Sequence, residues 1–209
     1  MIVCAASNNA GKLKELRRIL ERMGHEVKSL RELGITLDPE ETGTTFAENA
    51  RIKAGAFCKA SGLPTVADDS GLCTDALNGA PGVYSARYAG HHGDDDANNA
   101  KLLQEMADVP AEQRGAKFVS AVCFMLPDGR ALEVEGECPG RIAFSLQNGD
   151  YGFGYDPLFI PDEYGAPDGK HPNTEARSYA QLTPDEKDAI SHRGRAMEKL
   201  EEKLPAFLK

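Results

Sequence analysis

Four things are missing from this 209-residue chain, and each absence narrows its function. No apolar run approaches the roughly 18–20 residues that a membrane-spanning helix needs. The first residues, MIVCAASNNAGK, have neither the basic lead-in nor the apolar length of a signal peptide, and read as a first β-strand. The five cysteines, Cys4, Cys58, Cys73, Cys123 and Cys138, form no CxxC pair. Odd in number, scattered and mostly set in apolar runs, they suggest buried thiols in a reducing cytoplasm. Basic charge is not in excess: Lys and Arg number 24 against 33 Asp and Glu, for a net charge of −9. That balance argues against a nucleic-acid polymer as partner, since gripping one calls for a basic patch or stripe. A small anion held at one local basic site remains compatible with it.

There is also no internal repeat, low-complexity tract or linker, so one domain over residues 1–209 is expected. Residues 2–6 read as a buried strand. Leu13, Leu16, Leu20 and Met23, at steps of three and four, predict a helix from about Ala10 to Met23. Residues 25–30 form a second candidate strand. Thr45 and Glu48 spell a capping box for a second helix, whose inner face carries Phe46, Ala50, Lys53, Ala54 and Phe57 and which Gly62 ends. PTVADDSG (64–71) reads as a strand running into a turn. Asp94 to Asp96 precede a third helix. Two strand-like runs around Asp128-Gly129 give a hairpin signal, and FGYDPLFIP (153–161) reads as a turn plus a strand. Thr183, Pro184 and Glu186 announce a last helix, with His192 and Arg193 between its first and second turns. Strands interleaved with helices, plus a hairpin, indicate an α/β fold with a mixed sheet.

Five segments could carry chemistry. SNNAGK (7–12) joins the first strand to the first helix, where backbone N–H groups and a positive helix end favour phosphate. It is not a P-loop: the first glycine is absent and Leu13 replaces the Ser/Thr after GK. A polar capping loop is the competing reading. VADDSG (66–71) sets two carboxylates at the end of an apolar strand. Neighbours on a strand point to opposite sides, so Asp68 and Asp69 should have different jobs. One suits a metal or an attacking water, and the acidic loop Glu40-Glu41 could add a second carboxylate. HHGDDD (91–96) looks like a metal site, but adjacent histidines cannot easily share one ion and the aspartates fit a helix start. FGYDP (153–157) offers aromatic faces and an acid to a nucleobase, or forms a core turn. SHRGRA (191–196) sets His192 beside Arg193 on a helix whose apolar stripe is complete without them.

SNNAGK, EETGTTFAENARIKA, ADDSGL, GAPGVYSARYAG, GFGYDPLF and DEKDAISHRGRA occur in that order and cover nearly the whole chain. Together they closely resemble the inosine triphosphate pyrophosphatase family, the house-cleaning dITP/XTP pyrophosphatases. The resemblance implies an elongated mixed β-sheet with flanking helices, in two lobes around a central cleft. It implies a homodimeric, Mg²⁺-dependent enzyme that converts ITP, dITP or XTP and water to the monophosphate and pyrophosphate. By the same resemblance Ser7, Asn8, Asn9, Ala10, Gly11 and Lys12 hold the triphosphate. Asp69 is the proton acceptor and a metal ligand, and Ser70 touches substrate. Glu40 or Glu41 is the second metal ligand, with Glu40 preferred. Phe153, Gly154, Tyr155 and Asp156 form the base-pocket turn, Lys187 is a substrate lysine, and His192 and Arg193 read the base. Lys187 is also expected to help Lys12 neutralise the departing pyrophosphate. Two departures stand out: Ser7-Asn8 replaces the usual Thr-Gly, and the segment 161–180 looks long. Two rival readings are a pyrophosphatase for modified pyrimidine nucleotides and a nucleotide sensor without turnover.

Overall fold

The computed structural model describes residues 1–209. Eight strands and five helices follow one another as β1 (Ile2–Ala5), α1 (Ala10–Arg22), β2 (Glu26–Ser29), α2 (Phe46–Ser61), β3 (Thr65–Thr74), α3 (Asp95–Glu105), β4 (Gly115–Met125), β5 (Ala131–Ile142), β6 (Phe159–Pro161), β7 (Glu163–Ala166), β8 (Gly169–Pro172), α4 (Pro184–Asp188) and α5 (His192–Phe207). Six strands form one sheet in the order β2-β1-β3-β4-β5-β6, and β7 and β8 pair separately. β1 runs parallel to β2 and β3, whereas β6 is antiparallel to β5, so the sheet is mixed. No helix is long and apolar enough to cross a membrane.

The chain divides into two compact units, each assembled from separate stretches. The first takes residues 1–69, 120–136 and 196–209; the second takes 70–119 and 137–195. In the first, Leu16, Ile19 and Leu20 of α1 meet Val3, Val66, Val122 and the Met197–Leu204 stripe of α5. Ala50, Ala54 and Phe57 of α2 fill a further cluster with Cys4, Ala67 and Cys123. In the second, Leu102, Phe118, Ile142, Leu158, Phe159, Tyr179 and Ile190 pack together. Arg114 lies buried there, its guanidinium donating to the backbone carbonyls of Met106, Val109, Ile142 and Ala143 at 2.7–3.0 Å. Cys4, Cys58, Cys123 and Cys138 are buried, and no disulfide joins any of the five cysteines. Burial pushes each of those four thiols up, Cys123 to about 12 and Cys138 to about 11.

Most local signals produce the elements they announce. Thr45 and Glu48 close a full capping box on α2, Gly62 ends it at φ 67°, and Asp94 caps α3. Two elements differ from the sequence reading. β3 does not turn after Asp69 but continues to Thr74. The last helix is two: the Thr183 box starts α4, which stops at Asp188, and His192 opens α5. The break is local chemistry. Gly194 lies so close to Asp188 that a Cβ there would collide with the Asp188 carbonyl oxygen. Ser191 then caps the new helix, its Oγ accepting from the Gly194 N–H at 3.0 Å. His192 therefore sits on the first turn of a helix, not between two turns. The segment 161–180 folds into the β7–β8 hairpin and a short helical turn at Tyr179–Gln181.

Candidate active site

In the first unit the functional side chains converge on two adjacent carboxylates. Asp68 and Asp69 sit inside β3, so they face opposite ways, and their partners are different. Asp68 accepts from the Ser120 hydroxyl and lies 3.1 Å from the Lys12 ammonium. Lys12 comes from the first turn of α1, whose start is fixed by Asn9: its Oδ1 accepts the Lys12 N–H at 3.0 Å. Ser7 Oγ accepts the Asn9 N–H at 3.2 Å, so its hydroxyl shapes the loop without the usual glycine. Asp69 takes a 2.8 Å hydrogen bond from Lys53 Nζ on Oδ1, while its buried Oδ2 has no protein partner. Burial pushes the Asp69 carboxyl up, against the downward pull of Lys53 and Lys12. Burial alone would lower Lys53, but Asp69 and Glu41 outweigh it and hold the ammonium above its usual range.

Lys53 also reaches Glu41 Oε1 at 3.2 Å. It is thus Glu41 that the structure joins to the Asp69 group, while the Glu40 side chain, preferred from sequence, is exposed. The loop is pinned from α2. Asn49 Oδ1 accepts the Gly43 N–H at 2.8 Å, and Glu48 accepts the Thr44 and Thr45 N–H groups at 2.7 and 3.1 Å. The sequence pattern places Lys53 on the inner face of α2 and assigns it no part in the site. The signal was there: a lysine on an otherwise apolar stripe needs a buried counter-charge.

Carboxylate oxygens from Glu41 and Asp69, one of them unpartnered and buried, are the donor type of a hard divalent cation. No group of three or more His, Cys, Asp or Glu side chains that could hold a metal ion is assembled, HHGDDD included.

In the second unit the turn at residues 152–156 is held on three sides. The Gly154 N–H donates to Asp95 Oδ2 and the Gly154 carbonyl accepts from Asn99 Nδ2, both at 2.9 Å. Asp156 Oδ2 accepts the Phe153 N–H at 2.9 Å and a bond from Lys187 Nζ at 2.7 Å, and both side chains of that ion pair are buried. Lys187 also lies 5.1 Å from the Phe153 ring and 4.9 Å from the Tyr179 ring. Tyr155 is buried, its hydroxyl donating to the Ser85 carbonyl. Arg193 is 1 % exposed and donates from Nη2 to Ser70 Oγ at 2.9 Å; His192 is 4 % exposed and stacked on Phe118. A histidine and an arginine so enclosed do not belong to a solvated helix face. Of the substrate-binding residues expected from sequence, Lys187 is in direct contact with the Phe153–Asp156 turn, and Ser70 with Arg193.

The Ham1 family model matches residues 3–203. Among curated proteins, the chain is 49 % identical to the dITP/XTP pyrophosphatase of Corynebacterium jeikeium, over 98 % of each chain. It is 51 % identical to the protein of that name from Nocardia farcinica, over 98 % of this chain and 94 % of the relative. Among solved structures, the Staphylococcus aureus Ham1 protein superposes with a TM-score of 0.79 at 38 % identity, covering 99 % of both chains. A dITP/XTP pyrophosphatase from Mycobacterium abscessus gives 0.70 at 48 % identity, covering 96 % of this chain and 98 % of that one.

Proposed function

Because the chain belongs to the Ham1 family, we propose that it hydrolyses the nonstandard purine nucleoside triphosphates ITP, dITP and XTP to the monophosphate and pyrophosphate. The observation that carries the chemistry is the buried Asp69 carboxylate, gripped on one oxygen by Lys53 and open on the other. The products require water to open the α–β anhydride, and in this reading it attacks the α-phosphorus in line with the departing pyrophosphate. The new bond joins the water oxygen to that phosphorus, the bond from that phosphorus to the oxygen it shares with the β-phosphate breaks with its electron pair leaving on the pyrophosphate, and one proton of the water passes to Asp69 Oδ2. A carboxyl pushed up by burial is a better acceptor near neutral pH than an ordinary aspartate. Lys53 keeps it ionised and aimed. Lys12, with the backbone N–H groups at the start of α1, takes up charge on the phosphates.

A divalent metal completes this reading, Mg²⁺ being the ion proposed, held by Asp69 and by Glu41 in place of Glu40. When bound it supplies Lewis-acid neutralisation of the phosphate oxygens. Lys187, committed to Asp156 and to two aromatic rings, is assigned to the base with Phe153–Asp156 and not to the leaving pyrophosphate.

Selectivity follows from hydrogen-bond polarity. Hypoxanthine and xanthine offer a 6-oxo acceptor and an N1–H donor, whereas adenine offers an amino donor and a bare N1. Donors from His192, Arg193 or the adjoining backbone match the first edge and oppose the second. A buried donor facing a donor costs powers of ten in rate. We place the protein in the cytoplasm as a homodimer, a state that light scattering of the purified chain would test.

The deciding experiment incubates purified protein and Mg²⁺ with ITP, XTP, GTP and ATP in parallel and identifies the products. Monophosphate and pyrophosphate, from ITP and XTP far faster than from ATP, are expected. Diphosphate and phosphate, or equal cleavage of ATP and ITP, would overturn the assignment.

A further inference from the structure

We propose that Phe118 is a positioning residue for base selection: its ring fixes the plane of the His192 imidazole and so the direction in which that side chain offers its polar edge. The inference rests on the base-reading role given to His192 above. Phe118 belongs to β4, is 7 % exposed, and has no polar atom with which to touch a base. Its ring centroid is 4.7 Å from that of His192, with the planes 14° apart. Tyr179 continues the stack, 5.6 Å from Phe118 at 9° and 6.3 Å from His192 at 15°. Phe159 meets both Phe118 and Tyr179 edge-on at 4.8 Å, at 75° and 66°. Three near-parallel rings thus lie together, and a fourth packs edge-on against two of them, Phe118 and Tyr179.

The terminal torsion of a histidine is broad and nearly two-fold, so an imidazole against a featureless apolar wall samples many orientations. Hydrogen bonds to a purine edge weaken steeply with misalignment. Face-to-face contact with Phe118 removes that freedom. The same array reaches the other base-reading element, because Lys187 lies over both the Tyr179 and Phe153 rings and ion-pairs with Asp156. His192 and the Phe153–Asp156 turn therefore share one aromatic support, and Phe118 is the member in closest ring contact with His192.

The test compares wild type, Phe118→Leu and Phe118→Met, each Phe118 change also combined with His192→Ala. Steady-state constants for ITP and ATP are measured, with thermal melts of every variant. The loss of one well-aimed hydrogen bond predicts an ITP KM raised about tenfold, a smaller fall in kcat, and little change for ATP. In the His192→Ala background the same Phe118 substitution should change the ITP to ATP ratio by less than about twofold. Equal losses for ITP and ATP, or independent effects in the double variant, would make Phe118 merely structural and overturn the proposal. So would an unaltered ratio in a variant that melts like wild type. Should neither Phe118 variant fold, the wild-type chain still decides. NMR must show a His192 ring proton shifted upfield by the adjoining ring current, and an unshifted resonance refutes the stack. A wild type that does not prefer ITP to ATP would remove the base-reading assignment, and this inference with it. A selective wild type with selective Phe118 variants would remove this inference alone.

Discussion

Replacing Lys53 by methionine keeps most of the side-chain volume and deletes the ammonium that bridges Asp69 Oδ1 at 2.8 Å and Glu41 Oε1 at 3.2 Å. Two largely buried carboxylates then face each other with their shared counter-charge gone. A hydrogen bond to a charged group is worth about 1.5–3 kcal/mol, and one pKa unit is about 1.4 kcal/mol. The Asp69 carboxyl should therefore rise by about one to two units, with the Glu41 charge acting in the same direction. If Asp69 accepts the proton of the attacking water it must be ionised to work. The acid limb of kcat/KM, which reports the free enzyme, moves to higher pH by that amount. The assay is pyrophosphate release from sub-saturating ITP across the acid and neutral range, for wild type and Lys53→Met. Stability gives an independent reading. A carboxyl raised by folding holds its proton more tightly in the native state than in the unfolded one, so stability falls as pH rises through the native pKa. That fall should be steeper in the variant, and thermal melts at several pH values would record it. A variant whose activity drops while its acid limb stays in place would refute the argument: Lys53 would then serve only to bind phosphate.

Asp69→Asn should fold normally and lose about 10²–10⁴ in turnover, the usual worth of a positioned general base; near-wild-type cleavage of ITP would sink the assignment. Glu41→Gln should raise the metal concentration needed for half-maximal activity and weaken Mn²⁺ binding measured directly by paramagnetic resonance, whereas Glu40→Gln should behave as wild type; the reverse order would restore Glu40 as the ligand. Gly194→Ala should destabilise the chain by about 1–3 kcal/mol, because the added Cβ meets the Asp188 carbonyl oxygen. Denaturant titration checks it, and an unchanged midpoint would mean that α4 and α5 can part at no cost.

Helix starts were the most legible part of the fold, because capping is written within four residues. Thr45 and Glu48, Thr183 and Glu186, and Asp94 each act on backbone N–H groups of the turn they begin. The break between α4 and α5 was illegible for the converse reason. Its cause is the approach of two backbone segments at Gly194 and Asp188, and a glycine six residues after a carbonyl carries no local signature of that approach. The run of β3 past Asp69 was hidden similarly: Asp68, Asp69 and Ser70 are poor strand formers by propensity. In the strand they are held instead by Ser120, Lys12, Lys53 and Arg193. In the site, residue types and spacing pointed to phosphate, carboxylate and base chemistry. Choosing between Glu40 and Glu41 needed the Lys53 contact, and the ring against His192 needed Phe118, which lies 74 positions earlier in the chain.

The four buried cysteines bear on the conditions under which such an enzyme has work to do. Hypoxanthine arises from adenine when a nitrosating agent converts the exocyclic amine, and the same agents modify protein sulfur through the thiolate. Here burial holds the Cys4, Cys58, Cys123 and Cys138 thiols protonated and out of reach of solvent. None of the residues assigned to catalysis or binding is a cysteine. Only Cys73, partly exposed and outside the assigned site, is left within reach of the insult that creates the proposed substrate, so clearance can continue through the stress that makes it necessary.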